Sequence, residues 1–199
     1  MNHGNTNIRP YTDADLISRI ESLPTFAGWK KGKYDVWIRS QEDAFNKFDD
    51  KAYSFEVLKD GQEPIFSMVC TGTTNPGAQG LKNFDTKYGN ERCAVLIADH
   101  MVYQSHQYGL HQGKYPAYRQ CKPWPFNWDD NKNEISGDGE KVVEGEIIFA
   151  NIHAAGEASV EIGGWSIACM VRNIKKQYDK WMAWMNKDKY VTLVILKEF

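Results

Sequence analysis

Cysteine is sparse in this chain: four residues in 199, at 70, 93, 121 and 169, with no CxxC pair among them. That excludes a zinc finger of ordinary spacing and a dithiol redox motif, and reduced thiols are the simplest state, with a disulfide among the first three left open. Long apolar runs are missing too. The longest, residues 94–98 and 147–150, fall far below the roughly 20 residues of a membrane span. An excess of one charge is lacking: 24 basic residues are interleaved with 26 acidic ones for a net charge of -2, so neither nucleic acid nor anionic lipid is an expected partner. Residues 1–7 carry neither the basic patch nor the apolar run of a secretory signal, so synthesis in the cytoplasm is expected, with any outside target reached by other means. No internal repeat, low-complexity tract or interdomain linker stands out.

What is present suits one globular unit, since 42% hydrophobic against 25% charged residues supplies a core at this length. Thr12-Asp13-Ala14-Asp15 reads as a capped helix start, with Leu16, Ile17, Ile20 and Leu23 on one face and an end near Pro24. Residues 34–39, 51–58 and 65–70 read as strands of an antiparallel meander. Glycine and proline in residues 71–77 dictate a loop, assigned to the working face. Strand character resumes at 92–98 and 101–104, and residues 122–140 read as a polar surface loop. Residues 142–153 read as one central strand delivering His153. Val171, Ile174, Tyr178, Trp181, Met182 and Met185 mark an amphipathic helix ending near Asn186, with Trp181 assigned to packing, and residues 190–196 close as a strand. The expected class is mainly β with α (α+β), divided into an N-terminal helical segment, 1–30, packed on a domain spanning 31–199.

The chemistry concentrates where Asn151-Ile152-His153-Ala154-Ala155-Gly156 precedes Gly163-Gly164-Trp165-Ser166-Ile167-Ala168-Cys169. A thiol becomes a useful nucleophile at neutral pH when something draws off its proton, and imidazole is the usual agent. His153-Ala154-Ala155-Gly156 and Ser166-Ile167-Ala168-Cys169 resemble the His-x-x-Gly and Ser-x-Gly-Cys motifs of the L,D-transpeptidase catalytic domain, the YkuD-like family. Further segments, among them 22–26, 37–53, 73–77 and 108–115, look similar to a divergent phage-encoded branch.

The resemblance implies an L,D-transpeptidase-like β-rich domain in which Cys169 attacks an amide of a peptidoglycan stem peptide and forms a thioester. It makes His153 the base and later the acid, and places the oxyanion hole at the amides around Ala168 and Cys169. Ser166 and Trp165 would shape the loop, and Gly156 would give the histidine segment its freedom. Gly156, Trp165, His111 and Arg172 are carried as substrate-binding, with solvent exposure on the helix as the alternative for Arg172. The pattern departs at two places: Ala168 stands where the family has glycine, and Arg172 lies three rather than two residues after the cysteine. No cofactor or metal is implied. The partners would be bacterial peptidoglycan stem peptides, with action at the cell wall or periplasm and carriage in a virion. The alternative is a catalytically degenerate virion or tail component of the same fold. A papain-like peptidase fits less well, because there the cysteine precedes its histidine.

Plainer readings compete. His100, His106 and His111 match no zinc spacing, and Asp129, Asn131 and Asn133 lack the glycine and distal glutamate of a calcium loop. Trp124, Trp128 and Trp184 offer sugar-stacking faces, though aromatic residues in a β-rich protein are mostly core.

Overall fold

The computed structural model describes residues 10–42, 44–83, 93–129, 131, 133–137 and 142–199. In chain order these form α1 (Asp13–Glu21), β1 (Gly32–Arg39), β2 (Asp50–Val57), β3 (Ile65–Thr73), a short π-helical turn (Gln79–Asn83), β4 (Cys93–Leu96), β5 (His100–His111), β6 (Tyr115–Gln120), β7 (Trp124–Asp129), β8 (Val142–Glu146), β9 (Ile152–Ala154), β10 (Met170–Arg172), α2 (Lys175–Met185) and β11 (Tyr190–Lys197). Eight strands close a barrel in the order β1-β11-β5-β6-β9-β10-β3-β2, and β4, β7 and β8 make a separate three-stranded sheet. The class is mainly β, with two α-helices among the described residues. Within the barrel β1 lies parallel to β11, and β9 parallel to β10. No helix among the described residues is long and apolar enough to cross a membrane.

Strands β1, β2 and β11 are buried on both faces, and the period of two sorts their side chains into two cores. From β1, Tyr34, Val36 and Ile38 pack with Leu16, Ile20 and Leu23 of the α1 region, while Trp37 faces the opposite core with Trp181 and Met185 of α2. The strand β11 is shared in the same way, giving Leu193 and Ile195 to one cluster and Val194 and Leu196 to the other. At the start of α1, Thr12 accepts from the Asp15 amide while the Asp15 carboxylate accepts from Thr12, a complete capping box. The far end of the chain is tied to this region through Tyr11, whose hydroxyl donates to Phe199 O at 2.8 Å.

Arg172 lies in the barrel interior. It is fully buried, 2.5 Å from Asp35 Oδ1, with the Trp37 and Trp181 rings 5.1 and 4.1 Å from its guanidinium carbon. Ser54 Oγ and Trp37 Nε1 both donate to the Asp35 carboxylate. This corrects both the substrate-binding and the solvent-facing expectations: a buried carboxylate needs a cation, and Arg172 is that cation.

Several sequence expectations change at particular residues. The stretch 142–153 is two strands, broken where Phe149 takes a positive φ of 60°; β8 is an exposed strand at one side of the small sheet, and β9 carries His153 separately. Part of the stretch 122–140 is strand β7, with Trp124 1% exposed in the core; positions 130, 132 and 138–140 lie outside the described residues, as do 1–9 and Arg92. Val171 belongs to β10, and the helix begins only at Lys175. The loop expected at 71–77 starts later, since β3 runs through Thr73.

Candidate functional site

Parallel pairing of β9 with β10 sets His153 opposite Val171. Cys169 immediately precedes β10, opposite Asn151: Met170 N–H donates to Asn151 O at 3.0 Å, and Asn151 N–H points at Cys169 Sγ at 3.4 Å. The thiol in turn reaches Phe149 O at 3.8 Å. Ser166 Oγ donates to Cys169 O at 2.8 Å, Gly77 N–H to Ser166 O at 2.9 Å, and Ala94 N–H to Ile167 O at 3.0 Å. The cysteine loop is thus tied to itself, to the segment after β3 and to the small sheet. Gly77 permits that closeness, because a Cβ there would lie 2.4 Å from Gly163 O.

His111, at the end of β5, comes from far upstream to stack on His153, with ring centroids 4.2 Å apart and planes at 27°. Tyr115 flanks it at 5.3 Å. One donor atom from each of His111, His153 and Cys169 falls within 4.8 Å of the others.

The hydrogen bonds decide where the ring protons sit. His153 Nδ1 meets Ala154 O at 2.9 Å; a carbonyl only accepts, so Nδ1 carries the proton and the lone pair is on Nε2. That Nε2 is buried and has no hydrogen-bond partner. For His111, Asn151 Oδ1 accepts from Gln120 N–H, which turns the Asn151 Nδ2 amide toward His111 Nδ1 at 3.1 Å. The lone pair of His111 is therefore on Nδ1 and its proton on Nε2.

Burial, with the neighbouring His111 second, pushes His153 down to about 3. Burial raises Cys169 to about 11, against the opposing Asn151 amide, and His111 is lowered by burial and then by Arg119. At neutral pH the site therefore rests as a thiol beside two uncharged imidazoles. It holds an imidazole with an available lone pair and a thiol that keeps its proton.

The trio could surround a soft cation, since thiolate and imidazole are the ligands that zinc and copper favour. The outer hydrogen bonds suit only half of it. Ala154 O accepts from His153 as a ligand's carbonyl partner does, whereas His111 faces an amide donor, the reverse of that arrangement.

Cys169 lines a cavity of about 490 Å³ whose walls include His111, Arg119, Trp128, Phe149 and Trp165. Trp165 is 42% exposed, and Phe149 is 61% exposed although its backbone is left-handed. Such a conformation in a bulky residue costs stability and is retained where a loop is held for another purpose.

Of the residues singled out from sequence, Cys169, His153, Ser166, Ala168, Trp165 and His111 come together here. Ala168 lines the cavity and is not among the residues with positive φ, so alanine in place of the motif glycine carries no backbone penalty. Gly156 does not line the cavity. Its φ is not in the left-handed region, and a Cβ would sit 3.3 Å from Ser159 Oγ, so no special freedom is used there. Arg172 lies in the core. His106 is buried between Ser105 Oγ and Ala150 O, His100 packs edge-on against Trp124, and none of the four cysteines forms a disulfide.

Sequence reasoning passed over Asn151, Arg119, Tyr115 and Phe149. Asn151 alone left a local signal, two residues before His153 and so on the same side of an extended segment. No family model, curated protein or solved structure matches the chain.

Proposed function

We propose that the protein is a cysteine-dependent hydrolase or L,D-transpeptidase acting on peptidoglycan stem peptides through a Cys169 thioester, in an L,D-transpeptidase-like domain encoded by a phage. The observation that carries this reading is the buried, unpartnered Nε2 of His153 in a ring one of whose nitrogens lies within 4.8 Å of the Cys169 thiol, itself part of the cavity wall.

In this reading the Cys169 proton passes to His153 Nε2 as sulfur bonds to the amide carbon. The Ala154 carbonyl steadies the resulting imidazolium through Nδ1–H. The C–N bond then breaks, and the leaving amine takes the proton back from His153. Water or a second amine attacks the thioester, its proton goes to His153, and the thiol is restored as the product departs. The amides around Ala168 and Cys169 serve the oxyanion. Substrate must favour the ion pair over the neutral resting pair, and exclusion of water by a peptide filling the cavity strengthens every such interaction.

Muropeptides incubated with reduced protein, followed by mass spectrometry of both protein and products, test the reading. An acyl adduct on Cys169 and new stem-peptide products, absent in Cys169→Ala and His153→Ala, are expected; unchanged muropeptides with an intact, alkylatable Cys169 refute it. The elevated thiol favours a second reading, a wall-binding virion or tail component without activity. Under that reading Cys169→Ala leaves infectivity and assembly unchanged.

A further inference from the structure

We infer that His111 is the carbonyl-recognising residue of the cavity: its Nε2–H donates to the oxygen of the amide that Cys169 attacks, and Asn151 is the positioning residue that holds the ring in this donor form. This rests on the peptidase reading above and adds one catalytic group to it. The side chain of His111 makes one hydrogen bond among the described residues, at Nδ1, which the Asn151 Nδ2 amide approaches to 3.1 Å. Nε2 is not sealed away as Nε2 of His153 is, and the ring lines the cavity, so its N–H opens onto the space a substrate enters. Burial and the field of Arg119 keep the ring uncharged.

The two stacked rings therefore have opposite polarity. His153 offers a lone pair, whereas His111 has its lone pair engaged by an amide donor and can only give a hydrogen bond. A ring nitrogen of each histidine lies within 4.8 Å of Cys169 Sγ, and an acceptor about 3 Å from both nucleophile and donor fits such a span. As sulfur bonds to the amide carbon, the charge gathering on oxygen meets a fixed neutral donor, while the thiol proton has one destination instead of two.

The orientation of Asn151 is not free. Its Oδ1 accepts from Gln120 N–H at 3.2 Å, so turning the amide over would set two donors face to face. Gln120 is itself fixed, for its Oε1 accepts from the Ile148 and Ala150 amides at 3.0 and 3.1 Å and its Nε2 donates to Lys122 O and Glu146 O. A residue of β6 thus sets, through Asn151, which nitrogen of a β5 histidine carries the proton.

Isotope-labelled histidine reads that nitrogen directly, from two-bond proton–nitrogen correlations at neutral pH, with the His111 signals identified by their loss in His111→Phe. The Nε2–H form is expected in the parent. Asn151→Asp should reverse it, because a carboxylate accepts from Nδ1–H while still accepting from Gln120. Adding a stem tetrapeptide to labelled Cys169→Ala should shift the His111 Nε2 resonance. In intact-mass kinetics, acylation of Cys169 should fall roughly 100- to 1000-fold in His111→Phe, which keeps a ring against His153 but lacks the donor, with the loss on the maximal rate and not on KM. His111→Gln, which returns an N–H donor, should recover part of it. An Nδ1–H or doubly protonated ring in the parent, a bound peptide that leaves Nε2 unmoved, or His111→Phe acylated at the parent rate overturns the inference. A shifted Nε2 resonance with no acylation of the parent keeps His111 as the carbonyl donor and sinks the peptidase reading instead.

Discussion

Replacing Arg172 by methionine separates a substrate contact from a core cation. The substitution keeps much of the volume between Trp37 and Trp181 but leaves the fully buried Asp35 with only Ser54 and Trp37 as donors. Removing one partner of a buried ion pair costs about 3–5 kcal/mol. For a protein of this size about 1 kcal/mol moves the midpoint by about 2–4 °C, so thermal unfolding should shift down by roughly 6–20 °C. Urea titration should show the same loss as a lower midpoint with an unchanged slope. The double variant Asp35→Asn/Arg172→Met removes the stranded charge while keeping an acceptor for Ser54 and Trp37, and it should recover at least half of the loss. A single variant that unfolds within about 1 kcal/mol of the parent, with a raised KM for stem peptides, would refute the reasoning and return Arg172 to the substrate.

Three further outcomes are expected. His106 and His153 are held down to about 4 and about 3, so the unfolded chain binds more protons than the native one below about pH 6.5; stability is complete above that pH and falls as pH drops toward 4, by an amount on the order of 3 kcal/mol for His106. Urea midpoints between pH 7 and 4 check this, and a flat profile contradicts it. Ala168→Gly should give no gain in peptide turnover and should lower stability by about 0.5–1 kcal/mol, because the alanine backbone is unstrained; a clear rise in turnover would show that the motif glycine is needed. Phe149→Gly should raise the unfolding midpoint by relieving a left-handed residue worth about 1–2 kcal/mol, while weakening peptide binding measured by calorimetry; a lower midpoint would mean that the ring stabilises the fold despite its exposure.

Legibility in the sequence followed how local each signal was. The capping residues of α1 and the β-prone runs of β1 and β11 all act within a few residues, and each was readable. The strand β7 was hidden because Pro125 and two tryptophans suggest a loop; the proline is tolerated where pairing with β8 shifts register between Trp124 and Phe126. The break between β8 and β9 was hidden because Phe149 gives no hint of a positive φ. At the site, His153 and Cys169 were readable from their flanking residues, and so was the loop-shaping part of Ser166, now a hydroxyl closing on Cys169 O. His111 could be suspected but not placed, since only closure of the barrel brings β5 and β6 beside β9. Arg172 was misread because one inward-facing arginine on a strand looks, in one dimension, like any other charged residue near a motif.

The parallel seam between β9 and β10 separates two properties that most active-site loops share. Its register alone fixes the distance between thiol and imidazole, whereas the chain from 155 to 168 loops out and supplies Trp165 to the cavity wall. Under the proposed function a substitution at the exposed Trp165 therefore changes what the cavity admits while the β9–β10 register that holds His153 and Cys169 stays as it is. An insertion of one residue inside β9 would turn His153 to the opposite face of the sheet. Under the proposed function the site is thus tunable in specificity and brittle in chemistry, and a library at Trp165 and its exposed neighbours would sample new peptides on an unaltered thiol and imidazole.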